Sequence, residues 1–111
     1  MADRAPTIST HVLDTASGRP AAGVKVSLFR LAEDGRPVRL MQALTDADGR
    51  IADLLERPLQ AGEYRLRFET PDAADTFFQT MAVDFRVTDT SRSYHLPLLL
   101  APFSMTAYRG S

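Results

Sequence analysis

Cysteine is absent from the chain. That removes a disulfide framework, a thiolate nucleophile and a zinc–thiolate site, and it fits a reducing compartment. Charge of one sign is also missing. Thirteen basic and fourteen acidic side chains leave a formal net charge of -1, so no partner is selected by bulk charge, a nucleic-acid backbone included. No apolar run approaches the roughly 20 residues of a membrane-spanning helix. The opening MADRAPTIST has no apolar core of the secretory kind. The expectation is a cytoplasmic protein without membrane or nucleic-acid partners. The Gly-x-Ser-x-Gly elbow of a serine hydrolase and the glycine-rich phosphate loop are missing too.

A helical period is not evident, and a period of two takes its place. VKVSL puts Val24, Val26 and Leu28 on one face. YRLRF sets Tyr64, Leu66 and Phe68 against Arg65 and Arg67, and MAVDFRV turns Met81, Val83, Phe85 and Val87 inward. Successive side chains leave a strand on opposite sides, so each run reads as a half-buried strand. Between the runs lie SGRPAAG, EDGRP, DADGR, AG at 61–62 and PDAAD, where glycine and proline supply turn geometry. Strands are expected near 8–14, 23–31, 37–44, 50–54, 63–69, 81–88, 93–100 and 103–108, with room for one short helix between Pro71 and Phe78. The length of 111 residues suits one domain, 1–111, able to bury roughly two-thirds of its unfolded surface. Regularly spaced short strands point to an all-β, two-sheet antiparallel sandwich of seven or eight strands.

Two runs carry more than a core pattern. In ISTHVLD, Ser9, His11 and Leu13 share the face opposite Ile8, Thr10 and Val12. In SYHLPLLL, His95, Pro97 and Leu99 lie opposite Tyr94, Leu96, Leu98 and Leu100. Leucines beside an outward histidine are poorly suited to a solvated face. They point to a second covered surface, formed by another subunit or by burial of the strand on both sides within one chain. His11 and His95 are the only histidines, and histidine is the side chain whose ordinary pKa straddles working pH.

Metal ligation has little support, because two distant histidines lack partners at ligand spacing. Counted as a calcium loop from Asp46, DADG places Arg50 fifth and Arg57 twelfth, where oxygen ligands are required; it reads as a hairpin turn. Phe77 and Phe78 read as core packing. Arg50 and Arg109, taken singly, read as surface charge.

Taken together, the ends of the chain resemble a known family. ISTHVLDTASGRPAAGVKVSLFRL is similar to the opening of the transthyretin-related proteins, and YHLPLLLAPFSMTAYRGS to the close of the 5-hydroxyisourate hydrolases within that group. The resemblance runs from about Ile8 to Ser111. GRPAAGVKV followed by TDADGR is shared with many prealbumin-like modules and speaks for the fold. The terminal YRGS discriminates, since it characterises the hydrolases and not the hormone-carrying transthyretins. Departures are Gln79 where a proline often follows the aromatic pair, a short segment between Glu69 and Phe77, and Met105, Thr106 and Ala107 ahead of the tail.

The resemblance implies a prealbumin-like sandwich that opens the ring of 5-hydroxyisourate to 2-oxo-4-hydroxy-4-carboxy-5-ureidoimidazoline in urate degradation. It implies no cofactor. The implied catalytic residues are His11, Arg50, His95 and Ser111. Substrate contacts would come from His11, Arg50, Tyr108 and Ser111, with Arg109 and Gly110 fixing the tail. Either histidine can be the general base, His95 being favoured. Ser111 would offer a hydroxyl and, as the last residue, a carboxylate. Gly110 is expected to adopt a backbone conformation that other residues resist. A homotetramer with sites at the dimer–dimer interface is also implied. The alternative is a transthyretin-like module that binds a small molecule without turning it over.

Overall fold

The computed structural model describes residues 5–72 and 74–110. Among them are nine strands: β1 Ile8–Asp14, β2 Arg19–Pro20, β3 Lys25–Leu31, β4 Pro37–Leu44, β5 Arg50–Ile51, β6 Gly62–Glu69, β7 Thr80–Val87, β8 Tyr94–Ala101 and β9 Ser104–Ala107. They form two sheets. One runs β4-β3-β6-β7, and the other β2-β1-β8-β9 with β5 also paired to β1. The expected two-sheet sandwich is therefore present. The strand beyond the expected eight is β2, two residues within the stretch read as a turn.

Alternation builds the core. Val26 and Leu28 of β3, Tyr64, Leu66 and Phe68 of β6, Ile8 and Val12 of β1 and Leu96 and Leu98 of β8 are buried between the sheets, each such side chain contributing about 1.5–3 kcal/mol. The inward side chains of β7 and β9, among them Val83, Phe85 and Met105, are partly buried against this cluster. The outer face of β4-β3-β6-β7 is polar. Arg65 Nε and Nη2 donate to the two oxygens of Asp84 at 2.7 and 3.1 Å, and Arg86 pairs with Glu63 at 3.0 Å.

Four local features differ from the sequence reading. β1 and β8 pair in parallel, whereas the other ladders are antiparallel. β5 spans two residues, not five, because Asp53 draws the chain away: its Oδ1 accepts from the N–H groups of Leu55 and Glu56, both at 3.0 Å, and from the hydroxyl of Thr7. No helix occurs among the described residues between Pro71 and Phe78; Thr70 N–H donates to the carbonyl of Gln79 at 2.9 Å and closes that segment as a loop. Phe77 and Phe78 are not core residues. They are 70% and 47% exposed and pack edge to face on each other, with ring centroids 5.1 Å apart.

Candidate active site

The parallel register of β1 and β8 sets Ser9 opposite His95 and His11 opposite Pro97. The antiparallel register of β1 and β5 sets His11 opposite Arg50. Partners across a ladder project to the same side of a sheet. Thr10, Leu96 and Leu98 are buried on the inner side, so Ser9, His11, Arg50, His95 and Pro97 belong to the outer side. Strand spacing and rise place the Cα atoms of His11 and His95 roughly 8 Å apart. Three candidates far apart in sequence thus share one patch. The segment after β9 joins them, because Gly110 bridges His95 and its N–H donates to the His95 carbonyl at 2.7 Å.

The DADGR turn positions Arg50. Asp46 Oδ1 accepts from the N–H groups of Asp48 at 2.9 Å and Arg50 at 3.0 Å, closing the turn on itself. The carbonyl of Gly49 accepts the N–H of Val12 at 2.7 Å and ties the turn to β1. Gly49 has φ +74°, and a Cβ there would collide with the carbonyl oxygen of Val12. Only glycine lets this turn lie against β1 at that spacing.

Pro97 shapes the tail. It has no N–H, so the β8–β9 ladder cannot be completed beside it. Regular pairing ends at Leu98 with Ala107, leaving one bond of 3.3 Å from Tyr108 N–H to the Pro97 carbonyl. Pairing resumes two residues later at Gly110. A Cβ at Gly110 would lie 2.7 Å from His95 Cδ2 and 3.3 Å from Pro97 Cγ. Gly110 is not among the glycines with positive φ. Its requirement is therefore close approach to the imidazole, not the unusual backbone conformation expected from the sequence.

Electrostatics separate His95 from an ordinary histidine. Burial, followed by electrostatic repulsion from His11 and Arg50, lowers its pKa from the usual 6.5. The neutral, proton-accepting form is favoured. Its Nδ1 lies 2.8 Å from Ser9 Oγ. Arg109 takes a different position: its guanidinium sits 4.8 Å over the ring of Tyr94, a cation–π contact that holds the tail against the sandwich. Tyr108 is half-exposed. With Arg109 it borders a largely apolar cavity of about 190 Å³ that also touches Val83, Phe85 and Leu96, residues of the core side rather than the histidine side. Ser111 lies outside the described residues. Among those described, no three His, Asp or Glu side chains cluster as a metal site.

Ser9 and Gly49 were not among the sequence candidates. The strand period already placed Ser9 beside His11, yet its contact with His95 depends on a pairing of strands 86 residues apart. Gly49 was legible as a turn residue but not as a point of contact with β1.

This strand order defines a transthyretin-like sandwich, here with two histidines and an arginine on one outer sheet face. The chain belongs to the HIUase/Transthyretin family, which it matches over residues 8–110. It is 46% identical over 116 residues to a 5-hydroxyisourate hydrolase of Deinococcus radiodurans, covering 96% of this chain and 97% of that one. The Klebsiella pneumoniae 5-hydroxyisourate hydrolase structure superposes with a TM-score of 0.81 at 40% identity, over 96% of this chain and 99% of that one. Sea bream transthyretin in complex with thyroxine gives 0.83 at 31% identity, over 93% of each chain. Backbone likeness alone does not separate a hydrolase from a transthyretin; side chains do.

Proposed function

We propose that this chain hydrolyses 5-hydroxyisourate, opening its ring to 2-oxo-4-hydroxy-4-carboxy-5-ureidoimidazoline in urate degradation. The observation that carries the reading is the register that gathers His11, Arg50 and His95 on one face. The full-length likeness to 5-hydroxyisourate hydrolases supports it.

In this mechanism neutral His95 takes a proton from water as the water oxygen attacks the ring carbonyl carbon. Arg50 is a permanent cation with planar donors. It holds the oxygen-rich heterocycle and offsets charge developing on the carbonyl oxygen. The tetrahedral intermediate collapses with cleavage of the ring C–N bond, and the departing nitrogen takes a proton returned by imidazolium. His11 orients substrate or relays that proton. Ser111 completes the substrate contacts, while Tyr108, at the core-side cavity, joins Arg109 and Gly110 in holding the tail in place. No cofactor takes part.

The working unit in this reading is a homotetramer whose sites lie at the dimer–dimer interface. The half-buried Leu13 and Leu99, register partners beside the histidines, support it.

The test is the loss of 5-hydroxyisourate absorbance, with substrate made fresh by urate oxidase. Decay far above the spontaneous rate, abolished in His95→Ala, is the expected result. Decay at the spontaneous rate from a folded oligomer would instead favour a binding module that leaves its ligand unchanged.

A further inference from the structure

We propose that Ser9 is a positioning residue for His95: its Oγ accepts the proton on Nδ1 and thereby leaves the Nε2 lone pair free to act on water. The inference rests on His95 being the general base, as set out above.

Two neighbours fix the imidazole. Ser9 and His95 are register partners on adjacent parallel strands, and Ser9 Oγ lies 2.8 Å from Nδ1. The backbone of Gly110 covers the ring edge at Cδ2 and Cγ. Nε2 is the ring nitrogen that Ser9 does not engage. In a neutral imidazole, the nitrogen that carries the proton is set by the hydrogen bond the other nitrogen makes. A base aimed away from the strand pair through Nε2 therefore needs its proton on Nδ1 and an acceptor there. Among the described residues no carboxylate or carbonyl occupies that place, and the serine hydroxyl does. Thr10, the next residue, is turned inward, and its hydroxyl donates to the carbonyl of Leu96 at 2.6 Å.

The choice of a hydroxyl has a consequence. A carboxylate against Nδ1–H would stabilise imidazolium and raise the pKa of His95. A neutral acceptor fixes the tautomer while adding no negative charge. Among the described residues, the charged or titratable groups facing His95 are His11 from β1 and Arg50 from β5, and both push its pKa down. Ser9 on β1 and the backbone of Gly110 in the tail are neutral. The site thus keeps a base that is correctly oriented and unprotonated at neutral pH.

Two readouts test this. Long-range proton–nitrogen NMR on protein labelled in the imidazole nitrogens reports which nitrogen of His95 holds the proton. With two histidines in the chain, a His11→Asn variant assigns the signals. Wild type and Ser9→Thr, which retains a hydroxyl, are expected to carry the proton on Nδ1. Ser9→Ala is expected to shift population to the Nε2-protonated form. In the kinetics, Ser9→Ala should lower kcat by about tenfold or more, since a general base contributes on the order of 10²–10⁴, with little change in KM. Its acid limb should move to lower pH, because imidazolium loses an acceptor. Ser9→Thr should restore both. A wild-type proton on Nε2, or an Ser9→Ala variant with unchanged tautomer and pH profile, would overturn the proposal. An Nδ1 proton in a protein without turnover would leave the positioning intact and remove the hydrolase reading instead.

Discussion

His95 is held in its neutral form by its surroundings. Burial, and then electrostatic repulsion from His11 and Arg50, lower its pKa from 6.5, so the base is available through neutral pH. kcat/KM is expected to reach a plateau on the alkaline side and to fall on the acid side with a midpoint below pH 6.5, as measured in a pH–rate profile. The linkage to stability has the same direction. Unfolded His95 binds its proton more readily than folded His95, so its contribution is intact above the unfolded pKa and declines as pH falls through the folded one. Gly110 is the second determinant at this scale. A methyl group 2.7 Å from Cδ2 must displace either the tail or the ring. Gly110→Ala should cost about 10–100-fold in kcat/KM, the usual penalty for an ångström of misplacement, while urea denaturation moves little. The sequence offered both histidines as chemically capable residues. For Gly110 it suggested an unusual backbone conformation where the structure shows close approach, because contact with an imidazole fifteen positions upstream is invisible to local pattern.

The strands were legible because period two survives in nearly every one, and the limits of β1, β4 and β6 fall within one residue of those read from alternation. Their pairing was not legible. Alternation reports which side chains share a face of one strand and says nothing about which strand lies beside it. The parallel pairing of β1 with β8, and the docking of β5 on β1, are what turn three scattered residues into a patch. Both arise from long-range packing. The DADGR turn is the element on which Arg50 depends. Gly49→Ala places a Cβ at positive φ against the carbonyl of Val12, a combined strain of about 2 kcal/mol or more. The expected outcome is a lower urea midpoint together with reduced turnover, since β5 must lift from β1 and carry Arg50 with it. Unchanged activity would mean that the turn does not set the position of Arg50.

At the scale of the whole molecule, the two outer faces differ in kind. That of β4-β3-β6-β7 carries exposed ion pairs such as Arg65 with Asp84, each worth little for stability and compatible with solvent. That of β2-β1-β8-β9 carries histidines beside Leu13, Pro97 and Leu99. The tail covers Pro97 and one edge of His95, and the leucines remain half-buried. A second subunit over this face would cover them. Leu99→Glu is therefore expected to reduce the assembly seen by light scattering and to lower activity with it. Leu44→Glu, at a leucine already 62% exposed on β4, should change neither.

The first measurement to make is the decay of freshly generated 5-hydroxyisourate with wild type, Arg50→Ala and Arg65→Ala at matched oligomer concentration. Both substitutions remove an arginine from an outer sheet face, and only Arg50 lies opposite His11. The expected result is fast decay with wild type and Arg65→Ala, and loss of about 100-fold or more with Arg50→Ala, the scale on which one charge-stabilising donor acts. Equal rates for the two variants would contradict a reaction centred on the His11, Arg50 and His95 face.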